Sequence, residues 1–147
     1  MAERLFAKTC SNCRQKAVAV TPVPYTVTIE HDGHRYDVHV PALFVPRCGN
    51  CGEYTIDRIA DQEIDHAFRT MANLLSVDEI RAGRKKLGMS EAEFAMLLGV
   101  GEATVVRWES GALVPQRSHD GLIRGVLDVP EFRAYLGALH GVKPTAA

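Results

Sequence analysis

Nothing in this chain approaches the roughly 20 consecutive apolar residues that a membrane-crossing helix requires. No apolar stretch follows a basic start, as it would in a secretory leader. A membrane protein is excluded on this reading, and a cytoplasmic one is expected. Aromatic residues are few, 7% with a single Trp. Neither sign of charge dominates: there are 17 Lys and Arg against 18 Asp and Glu, for a formal net charge of -1. The balance also holds along the chain, with eight basic and nine acidic residues in 1–75 and nine of each in 76–147. Bulk charge does not announce a polyanionic partner, so a nucleic-acid surface would have to be a local concentration of base. What remains is an ordinary globular composition, 46% hydrophobic over 147 residues, enough for one domain or two small ones.

Cysteine is scarce as well, and its placement is informative. The only four cysteines form two pairs of equal spacing, Cys10-Ser-Asn-Cys13 and Cys48-Gly-Asn-Cys51. Two residues between ligands let one tight turn present both sulfurs to the same ion, so the pairs point to one structural Zn2+ per chain with four thiolate ligands. Ser11, Asn12, Gly49, Asn50 and Gly52 are the small or turn-forming residues that such turns need. The competing readings are two disulfides, a redox pair, or four inert thiols. A cytosolic compartment disfavours stable disulfides, and a redox motif needs only one pair inside a βαβ unit, which is missing here. Catalytic zinc would need an open coordination position, and four thiolates leave none.

Between the pairs, Tyr25–Glu30 and Arg35–Val40 alternate like strands. The Asp32-Gly33 between them is a hairpin turn signal. A further apolar stretch, 43–45, leads into the second pair. The resulting unit, residues 1–57, is too small to hold a large core, so the metal would supply much of its folding free energy. His31, His34 and His39 invite a second-metal or enzymatic reading, but exposed His around a hairpin is unremarkable, and no nucleophile and base stand in a recognisable arrangement. An enzyme is not expected. From Ile59 the apolar period shifts to three and four: Ala60, Ile64, Ala67, Phe68, Met71, Leu74 and Leu75 mark an amphipathic helix over 58–75. It joins the first unit to the second, its stripe packing on one of them or on a partner chain.

Capping-box sequences at Ser76–Glu79 and Ser90–Glu93 start two helices. A third runs from Glu102 to Ser110, a fourth takes in Leu122–Leu127, and Pro130 opens a fifth. They make a helical domain over 76–140, followed by a flexible tail over 141–147. The expected fold class is therefore α+β: a zinc-knuckle β-hairpin domain, a linking helix and a five-helix domain. Residues 89–111 resemble the helix-turn-helix of the lambda-repressor and Cro family. Ala95 is small where two helices cross, Gly99 suits a left-handed turn, and Phe94, Leu98, Val100, Val105 and Trp108 fill the wedge. The ending Arg107-Trp-Glu-Ser-Gly111 is characteristic of that family.

The resemblance implies that the second helix of the motif enters the major groove of double-stranded DNA N-terminus first. Residues 101–107 then face the bases. Arg107 is the candidate for bidentate reading of guanine, the alternatives being a phosphate contact or an ion pair. Thr104 and Ser90 are phosphate candidates, Ser90 serving equally well as a plain N-cap. Arg117 is a further phosphate candidate. Arg81, Arg84, Lys85 and Lys86 form the densest basic cluster, able either to meet the DNA backbone or to be a solvated face. Glu91 and Glu102 depart from the family by placing acid where phosphate comes close. Glu102 can accept from a cytosine amino group.

The two halves in this order resemble the MqsA-type antitoxin family, on Cys10-x-x-Cys13, Cys48-x-x-Cys51, Val105–Pro115 and Leu122–Phe132. The resemblance implies a structural zinc on Cys10, Cys13, Cys48 and Cys51, an RNase-like toxin partner for the N-terminal domain, and a homodimer formed by the C-terminal domain that represses through a palindromic operator. It places Ala103 where that family carries an Asn, so the operator would differ. The dimer surface is expected around Leu127, Phe132 and Leu136. The toxin surface is expected on the hairpin near residues 25–45. The alternative is a stand-alone zinc-finger and helix-turn-helix regulator with no toxin.

Overall fold

The computed structural model describes residues 8–143; residues 144–147 of the expected tail lie outside that range. The fold is α+β, a two-stranded antiparallel hairpin followed by six helices. The chain divides into two compact units, Met1–Ala72 and Asn73–Ala147.

In the first unit the hairpin pairs β1 (Val18–His31) with β2 (His34–Cys48). Asp32 and Gly33 both take positive φ, 51° and 72°, as a two-residue hairpin turn of the favoured hand requires. Both strands run well beyond the six-residue segments that alternation marks in the sequence, and 43–45 is the far half of β2. Four prolines hid this: Pro22 and Pro24 in β1, Pro41 and Pro46 in β2. Proline removes a ladder donor, but every strand of a two-stranded sheet is an edge strand and tolerates the loss. The register slips between Val23 and Tyr25, where Val23 faces Leu43 and Tyr25 faces Val40. This bulge accommodates Pro24 against Pro41 and Ala42.

Helix α1 (Arg58–Ala72) opens where the Asp57 carboxylate accepts from the Ala60 N–H at 2.9 Å. It closes at Asn73, whose φ of 54° is the left-handed stop of a helix end. The apolar stripe seen in the sequence is real through Phe68, but the helix stops short of residue 75. Leu75 joins the core of the second unit instead. Ala60 and Ile64 pack on Val23, Leu43 and Val45 of the hairpin. Phe68 lies edge-on to His31 and Tyr36, with centroids 5.5 and 5.4 Å apart. His31 is therefore part of the apolar packing. His39 faces the other way and shares a 2.8 Å hydrogen bond with Thr26.

The second unit contains α2 (Val77–Lys86), α3 (Glu91–Leu98), α4 (Glu102–Ser110), α5 (Arg117–Asp128) and α6 (Pro130–His140). At Ser76 both halves of the capping box form, Glu79 N–H to the hydroxyl at 3.1 Å and Ser76 N–H to the Glu79 carboxylate at 2.8 Å. Ile80, Leu87, Phe94, Leu97, Val105, Trp108, Ile123 and Val126 make the core. Leu127 and Phe132 lie against it, and Leu136 belongs to it. Gly83 and Gly125 leave the room: a Cβ on either would come within 2.6 Å of the Leu127 side chain or 2.9 Å of the Phe132 ring. The dimer surface expected at Leu127, Phe132 and Leu136 is thus corrected, because these side chains face their own core. The exposed apolar side chains of α6 and the residue before it are Val129, Tyr135 and Leu139.

One buried carboxylate ties α4 to α2. Glu109 is 2% exposed and accepts from Arg84 through both oxygens, at 2.8 and 2.9 Å. Arg84 also donates to the Met89 carbonyl at 2.8 Å. Arg81 donates to the Glu109 backbone carbonyl at 2.6 Å. The Glu109 carboxylate raises the pKa of Arg84, working against burial. Removing one partner of such a pair leaves a buried, uncompensated charge. Glu109→Ala is expected to destabilise the second unit by about 3–5 kcal/mol. Urea unfolding followed through the fluorescence of Trp108, the only Trp, measures it. A loss under about 1 kcal/mol, the range of an exposed pair, would contradict the assignment.

Candidate metal centre and nucleic-acid interface

The two cysteine turns are built alike. Cys10 N–H donates to the Gln15 carbonyl at 2.9 Å, and Arg14 N–H returns to the Cys10 carbonyl at 2.9 Å. Cys48 N–H donates to Glu53 at 2.8 Å, and Gly52 N–H returns to Cys48 at 2.9 Å. The fifth residue of each turn takes the left-handed conformation, Arg14 with φ 61° and Gly52 with φ 78°. Glycine does this freely, whereas arginine costs about 1–2 kcal/mol. That is why the second turn is the plainer of the two in the sequence. The hairpin brings the turns together: Gly49 N–H donates to Ala17 at 2.8 Å, and Val18 pairs with Cys48 at the open end of the ladder.

All four sulfurs lie within 4.8 Å of one another. Cys10 Sγ is 3.7 Å from Cys51 Sγ, and Cys13 Sγ is 3.6 Å from Cys48 Sγ. A tetrahedron with Zn–S bonds of about 2.3 Å has edges of about 3.8 Å, so both separations fit one ion. They are far beyond the roughly 2.05 Å of a disulfide. The close partners come from opposite turns, contrary to a redox pair within one motif. The asparagines also cross over: Asn50 Nδ2 donates to Cys13 Sγ at 3.5 Å and Asn12 Nδ2 to Cys51 Sγ at 3.7 Å. Donors of this kind stabilise thiolate and orient ligands.

The thiol pKa values move in opposite directions, as in a shared site. Cys13 is pushed down to about 6, first by the Asn50 amide and then by the Gln15 backbone N–H. Cys51 is lowered, first by the Glu53 backbone N–H. Cys10 is pulled down by the N–H groups of Cys13 and Asn12, but burial and the neighbouring thiols outweigh them and leave it raised. Four cysteines that fit a tetrahedron, partly poised as thiolates, form a zinc-type site. Cys10, Cys13, Cys48 and Cys51 would hold the ion, whose chemistry there is structural cross-linking.

The helix-turn-helix is built by α3, the 99–101 turn and α4. Gly99 takes φ 75°. A Cβ there would also lie 3.0 Å from His140, which donates through Nδ1 to the Leu97 carbonyl at 2.8 Å. Ala95, 2% exposed, has the small side chain that the crossing needs. In α4, Val105, Trp108 and Glu109 face inward. Glu102, Ala103, Val106, Arg107 and Ser110 are exposed, an outward stripe at steps of one and three. Among the sequence candidates, Glu102, Ala103 and Arg107 therefore share one face. Thr104 is half-buried beside that stripe. Ser90 caps α3, its hydroxyl accepting from Glu93 N–H at 3.1 Å, and Arg117 is exposed at the start of α5.

The basic cluster splits. Arg81 and Arg84 turn to Glu109, while Lys85 and Lys86 are exposed. Sequence reading missed Glu109 as the partner, since 25 residues separate it from Arg84. It also passed over Val106, whose exposure shows only once the inward face of α4 is fixed.

Residues 80–117 match the helix-turn-helix family HTH_3. The match contains α3 and α4 entire and indicates a DNA-binding transcription regulator. No curated protein matches the chain. Among the described residues, no helix is long and apolar enough to cross a membrane.

One zinc per chain is expected by elemental analysis. Chelation should unfold the first unit, because structural zinc contributes on the order of 10 kcal/mol or more to such units, while Trp108 fluorescence stays unchanged. Amide protection in β1 and β2 that survives zinc removal would contradict a structural metal.

Proposed function

We propose that the protein is a sequence-specific transcriptional repressor that also serves as the antitoxin of a toxin–antitoxin pair. The observation that carries the reading is the order of parts in one chain: a hairpin with four converging cysteines, then a helix-turn-helix. That is the combination on which the resemblance to the MqsA-type antitoxins rests. In this reading the zinc is structural, one per chain, held by Cys10, Cys13, Cys48 and Cys51. The hairpin it staples offers an RNase-like toxin its exposed strand face and its ladder edges beyond the Lys8–Val18 and Arg47–Tyr54 bridges, to which a partner strand can add. The protein needs no catalytic step for either role.

On the DNA side, Arg107 reads a guanine in the major groove, and Glu102 and Ala103 flank it. Thr104, Ser90 and Arg117 position the unit on phosphate. One such unit reads only a few base pairs, so a homodimer on a palindromic operator follows, with half-sites separated by whole helical turns. The exposed Tyr135 and Leu139 of α6, with Val129 before it, are apolar side chains grouped at one end of the C-terminal unit's sequence and suit a two-fold contact. The protein acts where its DNA is, in the cytoplasm.

Coexpression with an RNase-like protein encoded beside this chain's gene, where such a gene is found, tests the antitoxin role. A joint peak in size-exclusion chromatography is expected, and two separate peaks would leave a stand-alone zinc-finger and helix-turn-helix regulator. Arg107→Ala should weaken specific DNA binding by about 1–3 kcal/mol while sparing non-specific binding. An equal loss on every sequence would make Arg107 a phosphate contact.

A further inference from the structure

The outward stripe of α4 carries one apolar side chain that its own fold does not use. Val106 is 41% exposed. The helix is anchored one residue before it by Val105, fully buried, and two residues after it by Trp108, 1% exposed. The orientation of Val106 is therefore fixed by neighbours that cannot turn. Ala103 lies three residues earlier on the same exposed stripe. Three residues rise about 4.5 Å along a helix, between one and two of the roughly 3.4 Å base-pair steps of a duplex. On one side of this pair stands Glu102, on the other Arg107. The stripe thus offers an acceptor, two apolar groups and a bidentate donor in sequence.

The major groove presents one apolar group to such a surface, the 5-methyl of thymine. We propose that Val106, with Ala103 beside it, reads a thymine methyl next to the guanine that Arg107 contacts. The proposal rests on the DNA-binding reading of the α4 face and adds a specificity determinant to it. An isolated exposed valine is common on protein surfaces. This one sits at the centre of the face that the flanking buried residues point outward, between two side chains able to read base edges.

The test uses the full-length, zinc-loaded protein and a randomised duplex library. A preferred site is selected, and each thymine in it is replaced by uracil, which differs by the methyl alone. At one thymine per half-site, uracil is expected to weaken binding about three- to five-fold, the scale of one buried methyl. Val106→Ala should bind the thymine site more weakly and be nearly indifferent to uracil at that position. The substitution is on an exposed helix position and favours helix, so folding is not at stake, and unchanged Trp108 fluorescence checks this. Specific binding with no uracil-sensitive thymine would overturn this assignment alone, as would a sensitivity that persists in Val106→Ala. Equal binding to all duplexes would overturn both the assignment and the operator reading beneath it.

Discussion

What α4, the second helix of the helix-turn-helix, presents to solvent depends on how its last turn is held. Helix α4 has nine residues, too few to be stable alone. Its N-cap, Gly101, makes no side-chain cap hydrogen bond. The helix is held from the other end instead, by a carboxylate buried under α2. A lone buried carboxylate would be severely unfavourable. Glu109 is tolerable because Arg84 matches both its oxygens and Arg81 takes up the carbonyl of the same residue. Such a pair adds little net stability compared with apolar packing. It fixes a rotation, however, since the fork of Arg84 accepts only one geometry. With Val105 and Trp108 below, that rotation decides which five side chains point outward.

The hairpin unit reaches the same end by a different device. Its apolar core is a single layer between one face of a two-stranded sheet and one helix. Such a sheet has marginal stability by itself. At its tip the Phe68 ring supports His31 and Tyr36. At its open end four sulfurs converge, each turn lending an asparagine to the other turn's cysteine. The two ends are built differently, one by aromatic packing and one by four thiols that fit a metal.

Much of this was legible in the sequence, and the rest was hidden for identifiable reasons. Equal Cys spacing foretold the sulfur cluster, and Asp32-Gly33 foretold the turn. Ala95, Gly99 and the wedge residues foretold the helix-turn-helix. The strand lengths were obscured by four prolines that a wider sheet would have rejected. The helix over 58–75 was overextended because Leu74 and Leu75 continue its period, although Leu75 belongs to another core. The basic cluster was ambiguous because periodicity does not say which arginine finds a buried acid. Leu127, Phe132 and Leu136 look like an outward stripe until Gly83 and Gly125 reveal the depth of the groove that receives the first two of them.

The inward turn of Arg84 has a consequence for the thermodynamics of DNA association. Each cation that neutralises a phosphate displaces condensed counterions, and each steepens the dependence of log K on log salt by roughly 0.9. Two of the four cations in the densest basic cluster are held by Glu109. Arg84 serves the interior, whereas the Arg81 side chain stays 43% exposed; the acidic Glu91 and Glu102 lie near the helix starts. Arg84 is thereby withdrawn from phosphate, which takes roughly 0.9 off the slope that the cluster could give and leaves counterion release to Arg81, Lys85, Lys86 and the exposed Arg107 and Arg117. That slope measures positioning on the duplex alone, since phosphate contacts carry no sequence information.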